Sequence, residues 1–136
     1  MATPWHLWVV AILTLMWNGG GAVTIVMAQM GNRLDMAPNE VAYYASQPLW
    51  FVIATDLAVF LPIAGAVALL LRHRSAAWLF ALSALTVVLN NAYDVAAGTS
   101  LALADQGWRT VTIVVVAVAL IQFAYAWSMK TRGVLK

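Results

Sequence analysis

LWFVIATDLAVFLPIAGAVALLL, residues 49–71, decides the fold. The run carries a single ionisable group, Asp56, among 23 residues. As a helix rising about 1.5 Å per residue it is long enough to cross a hydrocarbon core of about 30 Å. Lipid offers the backbone no hydrogen-bond partner, so a spanning segment of this kind must be helical. The short alternating segments of a membrane barrel are not visible.

Working outward, three more runs have the same character. They lie near Leu7–Gln29, Ala77–Ala97 and Arg109–Met129. The expected architecture is therefore all-α, a polytopic four-transmembrane-helix bundle filling residues 1–136 as one membrane domain, with neighbouring spans antiparallel. Composition agrees. The chain is 64% hydrophobic and 9% charged, where a soluble domain carries about 25% charge. Too little polar surface remains to cover a water-soluble globule.

The net charge of +2 comes from seven scattered basic residues. No basic stripe forms, so nucleic acid is not an expected partner. The chain has no cysteine, which removes disulfides and thiolate metal sites. The leader before Leu7 has no Lys or Arg, and the first apolar run is long for a signal peptide. Despite a loose cleavage-like Val26-Met27-Ala28, this run is expected to stay as a span.

The basic residues set the orientation. Arg72, Arg74, Lys130, Arg132 and Lys136 fall on one side, Arg33 and Arg109 on the other. The richer side is expected to be cytoplasmic, with both chain ends there. The acids Asp35, Glu40 and Asp105 fall outside. Trp5, Trp8, Trp78 and Trp127 at one boundary and Trp50 and Trp108 at the other form the expected interfacial belt, with Trp17 in mid-span. Pro38-Asn39-Glu40 predicts a short surface helix that carries Tyr43 and Tyr44, and Gly98–Trp108 a polar loop with Thr99 and Ser100.

Ionisable groups inside spans usually face protein or water. Asp56 lies about 10 Å below the outer end of the second span, and Asp94 about 5 Å below that of the third. Ser83, Thr86, Asn90 and Asp94 are spaced by three or four and share one helical face, with Asn91 on its flank. If both faces turn inward, Asp56 meets Asn90, and Arg109 meets Asp94. The resulting pocket would hold Asp56 as a protonatable or cation-binding carboxylate, with Asn18, Asn90 and Asn91 as hydrogen-bonding partners. The plainer alternative keeps Asp56 neutral among amides and pairs Asp94 with Arg109 at the interface.

Gly19-Gly20-Gly21 weakens a helix and permits close backbone approach. It reads either as a tight helix crossing or as a hinge lining a cavity. Gly65 belongs to the same class of packing positions. Pro62 should kink its helix and free the Ala58 carbonyl. A Thr-Asn pair four apart recurs as Thr14/Asn18 and Thr86/Asn90, an echo of a two-helix repeat or of chance in a biased alphabet. His6 and His73 share the basic side, but both sit at helix ends. Neither a metal nor any other cofactor is expected from them.

Several stretches together carry a resemblance: His6-Leu7-Trp8 with Trp17-Asn18, Ala42-Tyr43-Tyr44, Pro48-Leu49-Trp50, Ala64-Gly65 running into Leu69-Leu70-Leu71-Arg72, and Arg132-Gly133-Val134-Leu135. The chain resembles, over most of its length, small four-span bacterial inner-membrane proteins of sphingomonads and their relatives, often labelled "sugar transporter". The resemblance implies a multi-pass protein of the bacterial inner membrane. It also implies a large apolar or aromatic residue where Asp56 stands, which would make that acid peculiar to this chain.

Two functions fit these features. One is a small-solute transporter or permease component with an externally facing pocket, its pathway completed by a homodimer. The other is a non-catalytic accessory or scaffold subunit docked on a larger membrane-protein partner. No nucleophile, phosphate-loop or zinc spacing is present, so catalysis is not expected.

Overall fold

A computed structural model describes residues 4–31, 36–98 and 106–136. Arg33, Asp35, Thr99, Ser100, Asp105 and the Trp108 side chain lie outside the described residues. The described residues form five helices: α1 (Trp5–Gln29), α2 (Pro38–Ser46), α3 (Leu49–Leu70), α4 (Ser75–Ala96) and α5 (Gln106–Thr131). All but α2 are long and apolar enough to cross a membrane. The protein is thus a multi-pass, all-helical bundle, and each span begins and ends within a few residues of the hydropathy limits.

The helices follow from local chemistry. In α2, Pro38 takes the first turn, where its missing N–H does no harm, and the Glu40 carboxylate accepts the Ala37 N–H at 3.0 Å. Pro62 sits buried inside α3, which continues through it. The Ala58 carbonyl that it frees accepts the Ser83 hydroxyl of α4 at 2.9 Å. A backbone group orphaned by sequence thereby becomes an interhelical bond.

α3 is the hub, packed against α4 and α1, and α4 packs in turn against α5. α1 and α5 do not pack along their length. The bundle is therefore a ring left open on one side. At the end that carries both termini the ring is closed. There His6 Nδ1 meets the Tyr125 hydroxyl at 2.6 Å. Leu7, Ala11, Leu69, Phe80, Ala126, Met129 and Leu135 form a continuous apolar plug behind that bond. Arg72, Arg74, Lys130, Arg132 and Lys136 share this basic end. Lys130 Nζ stands 4.4 Å from the Trp78 ring centroid and 4.6 Å from that of Trp127. These are cation–π distances, suited to a charge anchored at an interface.

Candidate functional site

Above the plug the ring encloses an open cavity of about 650 Å3, lined by every helix. It begins beneath α2, at Tyr43, Tyr44 and Asp94, and reaches Ser83, Ala119 and Gln122. Gln122 stands nine residues before the end of α5, about 14 Å from the basic end. The cavity thus passes the middle of the bundle.

Its polar wall is built mainly by α4. Ser83 and Asn90 are buried and both line the cavity, with Asn91 and Asp94 beside them. Thr86, also buried, turns its hydroxyl back onto the Ser83 carbonyl at 2.8 Å. The orientation of the amides is forced. The Thr55 hydroxyl donates to the Phe51 carbonyl at 2.9 Å, so it can only accept from Asn90, whose Nδ2 reaches it at 3.0 Å. Asn90 Oδ1 is buried and has no partner among the described residues. Asn91 and Asn18 likewise turn Nδ2 onto the carbonyls of Val87 (2.8 Å) and Thr14 (2.9 Å) in their own helices. The cavity wall is consequently rich in amide oxygens. Gln122, only 8% exposed, adds an amide with no hydrogen-bond partner among the described residues.

At the mouth, the Tyr43 hydroxyl donates to Asp94 Oδ2 at 3.1 Å. Burial first, and then the charge of Asp94, push the Tyr43 hydroxyl well above the ordinary tyrosine range. It therefore stays protonated, and able to donate, across physiological pH. Tyr44 shifts the same way, through burial and then the charge of Glu40. Tyr43, Phe51, Tyr93 and Trp50 form a chain of ring contacts that holds α2 against α3 and α4.

Asn18, Asn90, Asn91 and Asp94 are brought to one cavity. Asp56 is not. Its carboxylate accepts Gln29 Nε2 of α1 at 2.7 Å, and Thr55, one residue earlier, takes the place beside Asn90. One residue is about 100° of helical rotation, enough to move Asp56 from the cavity to the α1–α3 seam. Arg109 is exposed and forms no ion pair with Asp94, which the Tyr43 hydroxyl holds instead. The glycine run also departs from a tight crossing. A Cβ at Gly19, Gly20 or Gly21 would meet nothing within 4 Å, and α1 is unbroken there. Gly20 and Gly21 line the cavity, so the missing side chains widen it. Gly65 does pack tightly, with a Cβ position 3.1 Å from the Phe80 ring. His6 and His73 have separate partners, Tyr125 and Ser75.

Asp56→Asn should therefore be nearly silent. Asparagine can still accept from Gln29, and polar bonds between membrane helices average about 0.6 kcal/mol. Thermal unfolding followed by tryptophan fluorescence should shift by no more than about 1 kcal/mol equivalent. A collapse of stability would mean that Asp56 has a larger structural role than its one contact provides.

Comparison with protein-family models, curated proteins and solved structures yields no significant match.

Proposed function

We propose that the protein is a small-solute transporter or permease component, with the cavity beneath α2 as its solute site. The supporting observation is a cavity that reaches the bundle middle from one end, while an apolar plug seals the other. Solute sites of transporters lie near the bilayer midplane, where polar groups are retained for binding. Among the described residues, Asn90 Oδ1 is a buried unsatisfied polar atom of that kind.

The test exploits the absence of native cysteine. Single cysteines at Thr112 and Gln122 are placed in oriented vesicles and exposed to a membrane-impermeant maleimide. Both should label from the face opposite the basic end. Gln122→Cys should also label, more slowly, from the basic face as the plug opens. Labelling from neither face would exclude an aqueous path and sink the reading.

The accessory-subunit reading draws on one observation. α1 is the least covered span, with 11% of its most apolar window buried. A partner helix, like lipid, would cover Ile12, Met16, Val23 and Met27. Labelling of Gln122→Cys from the outer face alone, under all conditions, would favour it.

A further inference from the structure

The chemistry of the cavity wall restricts what it can hold, if the solute-site reading above is right. Asn18, Asn90 and Asn91 each turn Nδ2 onto a protein oxygen, which leaves their amide oxygens without protein donors among the described residues; Gln122, deeper in the cavity, keeps both its amide groups available. Asp94, one helical turn above Asn90, is half-buried and has no cationic partner among the described residues. Among the described residues, no Lys or Arg lines the cavity. An acceptor-rich wall with one carboxylate and no compensating cation is complementary to a positively charged donor. It is hostile to an anion, which would meet both the carboxylate and the amide oxygens.

The rest of the lining fits the remainder of such a molecule. Tyr43, Tyr44 and Phe51 present aromatic surface around the upper cavity and Trp17 at its middle, and aromatic faces attract ammonium groups. Val87, Val115 and Ala119 form an apolar floor. The open side of the ring lies between α1 and α5. A second recess of about 410 Å3 there is lined by Leu13, Trp17, Val118 and Ile121. That flank faces lipid, so an amphipathic solute dissolved in the membrane has a sideways route in.

We propose that the cavity binds an amphipathic organic cation, a protonated amine on an apolar body. Its ammonium sits between Asp94 and Asn90 Oδ1, and its apolar part lies on the α4–α5 floor. Asp94 and Asn90 are four apart on α4, so their side chains stand about 5–6 Å apart at Cβ, within reach of one ammonium group.

A matched set of probes tests this on the whole protein in phosphatidylcholine nanodiscs. Aminoadamantane, hydroxyadamantane and adamantane carboxylate share one apolar cage and differ in charge. Calorimetric titration, with empty nanodiscs subtracted, should show the amine at least about tenfold tighter than the alcohol, an advantage of about 1.4 kcal/mol. The carboxylate should not bind. Asp94→Asn should remove the advantage of the amine and leave the alcohol unchanged. If that variant fails to fold, the wild-type series alone decides. Equal binding of amine and alcohol, or tighter binding of the carboxylate, overturns the cation proposal and leaves the solute-site reading standing. No binding of any probe, joined to absent cysteine labelling, overturns both.

Discussion

Gly65→Leu should unfold the α3–α4 pair, the most extensive helix contact in the molecule. A Cβ at this position falls 3.1, 3.2 and 3.3 Å from three atoms of the Phe80 ring. Alanine alone would require a shift of a few tenths of an ångström. Leucine adds three further carbons beside Phe80, whose core cluster also holds Ala66, Ala76 and Ala77, all fully buried. Phe80 is itself 2% exposed and has no free volume to retreat into. Overpacking typically costs about 1–3 kcal/mol, and a fully enclosed backbone contact belongs at the upper end, about 3 kcal/mol. Gly20→Leu is the control, because its Cβ would enter open space. It should leave stability within about 1 kcal/mol, since it creates neither a clash nor a cavity. Phe80→Leu should recover part of the loss in the Gly65→Leu background, as expected for residues in direct contact. Thermal unfolding of the three variants checks this. Equal losses for Gly65→Leu and Gly20→Leu would show that the α3–α4 contact is not the stabilising one.

The same two glycines show what a sequence of this kind reveals. Spans are legible because about 20 apolar residues in a row exceed any soluble alternative. The polar face of α4 was legible because Ser83, Thr86, Asn90 and Asp94 recur at helical spacing, and a periodic signal specifies rotation about the helix axis. α3 has no such signal. It is apolar all round, so nothing in the sequence decides whether Thr55 or Asp56 turns towards α4. The ionisable residue drew attention, and its neighbour took the position. Glycine runs are ambiguous for a related reason: the missing side chain either admits a neighbour, as at Gly65, or leaves a void, as at Gly20. Gln122 was visible as the one amide within the apolar stretch of α5, but without a periodic companion it gave no direction. Tyr43 and Tyr44, expected on a short surface helix, also line the cavity mouth, because α2 folds across the bundle end. That geometry depends on the hydrogen bond from Tyr43 to Asp94, 51 residues away in sequence, which no local pattern encodes.

Leu135→Ala should be the most damaging change outside the helices and should also alter the cavity. The chain past α5 reverses at Gly133, which adopts φ +70, a conformation open to glycine without strain. It then runs back to the α3–α4 turn. Lys136 N–H donates to the Arg72 carbonyl at 2.7 Å, and Arg74 N–H donates to the Lys136 carbonyl at 3.0 Å. Between these bonds and the turn at Gly133, Leu135 is 1% exposed in the cluster that holds Leu7, Leu69 and Phe80. Truncating a buried leucine to alanine costs about 2–5 kcal/mol when the site cannot collapse. Here the surroundings are four helix ends fixed by their own packing, so the loss should be at least about 3 kcal/mol by the same measure. Amide hydrogen exchange at Arg74 and Lys136 should accelerate together, because both bonds depend on the docked tail. The plug lies between the cavity and the basic end, so a loosened tail should also increase labelling of Gln122→Cys from that end. A stability loss without faster labelling would show that the docked tail is not part of the barrier between Gln122 and the basic end. Faster labelling with stability unchanged would instead make the tail a movable gate, whose docking contributes closure rather than fold.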